Sequence, residues 1–117
     1  MNMKLQEPIE TYFNTSNKPD PKKFISIFTE DAIVIDEGQE YIGLDKIREW
    51  SIKHHFAAKL ELKVRYVIEK NLITIVTAKI DGDFDKTGLP DPLLLDFHFT
   101  ISKGMVVRLE ILFPKNI

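Results

Sequence analysis

Apolar residues recur every three or four positions early in the chain and every second position later, so the periodicity divides the sequence into a helical part and a strand part. Ile9, Tyr12 and Phe13 form one short apolar stripe, and Phe24, Ile27 and Phe28 form another. Both have the spacing of a helix with one buried face. Pro8 can stand at a first helical position. Asp20-Pro21 is a stronger start signal, a carboxylate cap followed by a proline that needs no amide partner. The polar, turn-rich NTSNKPDP between the stripes predicts two short helices joined by a loop. A third helix is expected from Leu44 to about Leu60, with Leu44, Ile47, Ser51, His54 and Ala58 along one stripe and Trp50 and Ala57 widening it.

From about residue 60 the period becomes two. In ELKVRYVIE, Leu62, Val64, Tyr66 and Ile68 are expected on one face. LITIVTAKI is β-branched throughout and reads as a strand covered on both faces. LLLDFHFTI and MVVRLEILF form a last pair joined through Ser102-Lys103-Gly104, where glycine supplies the positive φ of a tight hairpin. Before the third helix, Ala32 to Asp36 reads as one more short strand, ending at Gly38. Three helices with one strand interposed, then four antiparallel strands, define an α+β fold. No helices separate the later strands, as βαβ units would require.

Composition narrows the function classes. With 117 residues, 44% apolar and 29% charged, the chain has the size and make-up of one domain, residues 1–117. The net charge of −2 gives no footprint for nucleic acid or an acidic membrane. The start MNMKLQEPIE carries no apolar run, and no stretch is long enough to span a membrane. The absence of cysteine excludes disulfides and thiolate metal sites, and a cytoplasmic location is the default expectation. DGDFDKTG alternates three aspartates as a calcium loop does, yet Lys86 and Pro92 occupy the positions where such a loop needs glycine and glutamate. With only three histidines, two of them adjacent, no metal site is expected.

The segments FTEDAIVIDEGQEYIGLDKIREW and LDFHFTISKGMVVRLEI resemble the nuclear-transport-factor-2-like superfamily, in its SnoaL-like (polyketide-cyclase-like) and ketosteroid-isomerase-like branch. The resemblance covers nearly the whole chain. It implies a cone of three amino-terminal helices packed on a curved, mainly antiparallel sheet, and commonly a homodimer. By analogy with the isomerases, Tyr12 and Asp96 become enolate-stabilising donors and Asp36 the base, with Glu37 where those enzymes commonly carry proline. Such chemistry needs no cofactor. Because the fold hosts enzymes and noncatalytic binders alike, the resemblance leaves open whether this chain is an enzyme.

Each candidate has a structural alternative. Asp36 ends the run AIVI beside Glu37, and strand alternation lets only one of the two point inward. Tyr12 either donates to a ligand oxygen or packs as a core ring. Asp96 interrupts LLLDFHF, where a carboxyl must be paired or held neutral; Arg108 and His98 are the partners in reach. Trp50, Phe84, His98, Arg108 and Leu109 are further candidates for lining a ligand pocket. His54 and His55 point about 100° apart on a helix, one expected inside and one in solvent. Three functions follow: a pocket for a small, mostly apolar or carbonyl-containing molecule, a cofactor-independent isomerase or cyclase, and a noncatalytic dimeric interaction protein. The proposed chemistry requires Tyr12, Asp36 and Asp96 to project together into one hollow between the helices and the sheet.

Overall fold

A computed structural model describes residues 5–114 of the chain. The first four residues of the polar amino-terminal start lie outside the described residues. The elements run α1 (Glu7–Asn17), α2 (Pro21–Ile25), β1 (Phe28–Asp36), β2 (Gln39–Ile42), α3 (Leu44–Ser51), a π-helical turn (Ile52–Phe56), β3 (Glu61–Lys70), β4 (Ile73–Asp81), β5 (Leu94–Ser102) and β6 (Met105–Leu112). The fold is α+β. Its six strands form one mixed sheet in the order β2-β1-β6-β5-β4-β3, antiparallel except where β1 lies parallel to β6.

The local signals act where their chemistry predicts. Pro8 sits in the first turn of α1. Asp20 caps α2, its side chain accepting the Lys23 amide at 3.2 Å. The helix is shorter than its apolar stripe, because Phe28 already belongs to β1. Asp36 is the last residue of β1. Glu37 (φ 52°) and Gly38 (φ 79°) then form a two-residue turn with positive φ at both positions, the geometry that closes a β-hairpin. The chain returns as β2, a short strand that its polar sequence did not suggest. The expected third helix changes character after Ser51. From Ile52 it widens to a π turn, closed by the Ala57 amide on the Ile52 carbonyl at 3.0 Å.

The helices cover one face of the sheet. Tyr12, Phe24, Phe97, Phe99, Leu109 and Val34 belong to the resulting core, each essentially excluded from solvent. Cross-strand registers fix which residues share a face. One inward row reads Val67, Val76, Phe97, Ile111, Asp36 across β3, β4, β5, β6 and β1. The adjacent outward row reads Tyr66, Thr77, Asp96, Leu112.

A bulge corrects the expected face of β3. Register slips between Val64 and Tyr66, so Leu62, Val64 and Val67 meet the core while Tyr66 and Ile68 turn outward, 61% and 56% exposed. At the start of this edge strand, Asn17 at the end of α1 donates to the Leu62 carbonyl at 2.8 Å and accepts the Leu62 amide at 2.7 Å. One side chain thereby satisfies both backbone groups that an edge leaves open. Among the described residues no helix is long and apolar enough to cross a membrane.

Candidate functional site

α1, β1 and α3 converge on a hollow of about 50 Å³ over the inward row of the sheet. Tyr12, Asp36, Trp50, His54 and His55 contribute its polar groups, and Leu60, Ile80, Leu95, Phe97 and Ile111 its apolar wall. The volume is well below the roughly 300–1,000 Å³ of a drug-sized ligand site. It suffices for one or two water molecules, each of which takes about 30 Å³ in the liquid.

Tyr12 is held by rings. Phe24 lies 4.9 Å from it, Phe13 5.2 Å, Phe99 5.3 Å and Phe97 5.8 Å, centroid to centroid. The ring is fully buried, and its hydroxyl has no hydrogen-bond partner within the protein; among the described residues only Thr29 shares that condition. Burial pushes the Tyr12 phenol well above its ordinary pKa, and the negative charge of Asp36 pushes it further. Tyr12 is therefore a neutral donor at physiological pH.

Asp36 is half-buried and reaches the hollow because β1 alternates Ala32, Val34 and Asp36 toward the helices. Trp50, on α3, donates its indole N–H to Asp36 Oδ2 at 2.9 Å. That bond fixes the carboxylate and leaves Oδ1 for another donor. Of the two neighbouring carboxylates, Asp36 is the inward one; Glu37 is an exposed turn residue.

The π turn sets the histidines. His55 is only 3% exposed and packs against Phe24, Phe56, Tyr12 and Trp50, whereas His54 is exposed at the edge of the hollow beside Tyr41. Ser16 spends its hydroxyl proton on the Tyr12 carbonyl at 2.6 Å. The 2.7 Å contact between Ser16 Oγ and His55 Nε2 then requires the histidine to be the donor, with its proton on Nε2. Burial lowers the His55 pKa to about 4, so the ring is neutral near pH 7.

Asp96 does not join this group. It projects from the outer face of β5, where it accepts the Thr77 hydroxyl at 2.5 Å. Its inner neighbours Leu95 and Phe97 line the hollow instead. His98 shares the outer face opposite Glu110, and Arg108 pairs with Glu110 at 3.4 Å rather than with Asp96. Leu109 is fully buried beside Phe99 and Val34, two residues along β6 from the hollow. Phe84 lies in the loop after β4, half-buried, with the Lys86 ammonium 5.1 Å from its ring centre. The structure thus joins Tyr12, Asp36 and Trp50 and separates Asp96, His98 and Arg108 from them. Ser16 and His55 complete the constellation. Sequence reading missed Ser16 because NTSNKPDP reads as a loop, whereas α1 runs on to Asn17 and sets Ser16 one turn after Tyr12; its bond to His55 depends on the π turn, which left no periodic signal.

No family model matches the chain, and no curated protein sequence matches it. Solved structures do. A polyketide-cyclase-like protein from Sinorhizobium meliloti superposes with a TM-score of 0.82 at 29% identity, covering 92% of this chain and 94% of its own. A protein of ketosteroid-isomerase-like fold from Catenulispora acidiphila, in complex with trimethylamine, gives 0.76 at 13% identity, over 94% and 87%. A Mycobacterium tuberculosis protein in complex with estradiol-17beta-hemisuccinate gives 0.74 at 10% identity, over 92% and 91%. The chain belongs to the nuclear-transport-factor-2-like superfamily.

Proposed function

We propose that this protein binds a small, mostly apolar molecule carrying one polar oxygen, which docks between Tyr12 and Asp36. One observation carries this reading: a fully buried phenolic hydroxyl without a protein partner faces the same hollow as a half-buried carboxylate. An unpaired buried hydroxyl costs about 1–3 kcal/mol, and its retention beside an acceptor fits a ligand that uses both. A hydroxyl on the ligand can donate to Asp36 Oδ1 and accept from Tyr12, with Trp50 holding the carboxylate in place. The ligands described for two proteins of the same fold support only that such a frame can enclose organic molecules.

The chain's single tryptophan lines the hollow and provides the readout. The hollow of about 50 Å³ admits only the polar head of such a molecule as it stands, so 4-methylphenol must displace part of the apolar wall; its titration is expected to change Trp50 emission saturably. Tyr12→Phe and Asp36→Asn are each expected to weaken the binding roughly tenfold, the worth of one hydrogen bond in a desolvated site. An emission unchanged at millimolar phenol would sink the proposal.

A second reading keeps Asp36 as a base that removes a proton α to a carbonyl while Tyr12 steadies the enolate. The pairing of carboxylate and neutral phenol in one hollow favours it. The outward position of Asp96 leaves that enolate with one donor where the isomerase pattern has two, so binding is the better-supported function. Deuterium exchange at the α carbon of a bound ketone, followed by NMR, decides between them. Catalysis predicts exchange that Asp36→Asn abolishes.

We further propose that two copies pair through the outer sheet face, where Tyr66 and Ile68 stand exposed on β3, Ile75 lies opposite Ile68, and Leu112 is exposed three strands away on β6. Equilibrium sedimentation is expected to show a dimer at micromolar concentration, and Ile68→Lys to dissociate it.

A further inference from the structure

A second hollow, of about 330 Å³, lies under the loop that follows β4, walled by Phe84, Leu89, Pro90 and Leu93. Ile80 lines it, and Ile80 also lines the smaller hollow at Tyr12 and Asp36. The two spaces therefore meet at one side chain. Strand parity says the same thing independently. On the inner face of the sheet, Leu93 borders the outer hollow and Leu95 and Phe97, the next residues of that parity, border the inner one. The Ile80 amide is bonded to the Leu93 carbonyl at 2.9 Å, which holds the partition against that track.

The loop is clipped at its base. Gly82 sits so close to the segment after the π turn that a Cβ there would lie 2.8 Å from the Ala58 carbonyl oxygen. The Asp83 amide donates to that same oxygen at 2.7 Å. The clip fixes the base of the loop against the segment after the π turn. The one cation on the rim, Lys86, is already engaged by Asp81 at 3.0 Å and by the Gly82 carbonyl at 2.9 Å. Asp91 adds a carboxylate to the same lining. Neither feature favours an anionic tail.

We infer that the two hollows form one elongated site gated by Ile80, taking a molecule with a hydroxyl or carbonyl head at Tyr12 and Asp36 and an uncharged apolar tail under the 82–93 loop. The inference rests on the head-group reading above and adds the tail site, its position and its gate. Rotation of Ile80 brings the combined space to the size of a small-molecule pocket.

The test is the chain-length dependence of 4-alkylphenol binding, from 4-methylphenol to 4-octylphenol, read by Trp50 emission. In the unaltered protein each added methylene is expected to raise affinity by up to about fourfold until the tail fills the outer hollow. Ile80→Ala steepens that dependence, and Ile80→Phe flattens it. Phe84→Asp, in the loop and away from the core strands, flattens it without touching the partition; circular dichroism confirms that each variant is folded. Short phenols binding with an affinity independent of chain length overturn the tail site and leave the head-group site standing. Absence of binding by every phenol, in the unaltered protein and in Ile80→Ala, overturns both.

Discussion

Asp36 and Asp96 are the same residue type in the same setting, each breaking an apolar run in a strand of the sheet, yet they have opposite fates. Asp36 faces the helices, takes one hydrogen bond from Trp50, and shares its hollow with a phenol that nothing in the protein satisfies. Asp96 faces the opposite way and is quieted by the hydroxyl of Thr77. The two belong to neighbouring rows of the sheet, and the side on which each emerges is a matter of strand parity alone. A carboxylate within an apolar strand is therefore informative about function only once its row is known.

The harshest way to probe that contrast is to move a carboxylate one residue along β5. Phe97→Asp puts it into the inward row, replacing a ring that is 2% exposed and packed edge-on against Tyr12 and Phe13. The lost ring alone is worth about 3–5 kcal/mol, and an unpaired buried acid adds to that. Since a whole domain is stable by roughly 5–15 kcal/mol, the variant is expected to be largely unfolded by circular dichroism at neutral pH.

The rows themselves were only partly legible in the sequence. Alternation assigned β5 correctly as two faces, Asp96-His98-Thr100 against Leu95-Phe97-Phe99, because nothing interrupts that strand before Thr100. It could not say which face meets the helices, since that depends on partners far away in the chain. In β3 alternation failed within the strand: the bulge at Arg65 exchanges the faces midway and leaves Tyr66 and Ile68 outside. A bulge adds one residue without a compositional mark, so the error was built into reading by period. Tyr12 lay on the apolar stripe of a helix, which fixes an inward position locally, whereas parity allowed either Asp36 or Glu37 inside and only the resemblance to the isomerases favoured Asp36. Ile80 and Leu95 became visible only when the sheet was assembled around the hollow.

His55 sharpens the comparison from the buried side, because it too is a titratable group held within the inner layer. Its folded pKa of about 4 lies below the ordinary 6.5, so between these values the unfolded chain binds the proton more readily than the folded one. Its stabilising contribution is complete above about pH 6.5, declines as the pH falls, and is gone once pH passes below about 4. The loss over that window is about 3 kcal/mol. Asp36 and His54 are the other titratable side chains around the same hollow apart from Tyr12, which stays neutral throughout. Urea denaturation at pH 7 and pH 4.5 measures the change. His55→Gln is expected to lower stability at pH 7 and to remove most of the difference between the two.

Tyr12→Phe separates the demands of folding from those of binding at the centre of the site. The ring contacts survive, and the hydroxyl that lacks a protein partner is gone. If that hydroxyl serves only a ligand, the variant gains about 1 kcal/mol in denaturant stability while losing affinity for phenols. Should the variant instead be destabilised by a similar amount, the hydroxyl is satisfied by water bridging to Asp36, and its role is structural.

Asp96→Ala is the mildest change and the one that bears most directly on the face assignment. On the outer face it removes a hydrogen bond with Thr77 at the half-buried surface, which costs about 0.5–1.5 kcal/mol, and it leaves the inward row intact. Phenol affinity and Trp50 emission are expected to match those of the unaltered protein. Asp36→Asn, by contrast, replaces the acceptor of the indole N–H by an amide and is expected to shift the Trp50 emission maximum even without ligand. If Asp96→Ala depressed phenol binding as much as Asp36→Asn, the two carboxylates would have to share a hollow. The parity separating the rows Val76-Phe97-Ile111 and Thr77-Asp96-Leu112 would then be wrong, and with it the preference for binding over enolate chemistry.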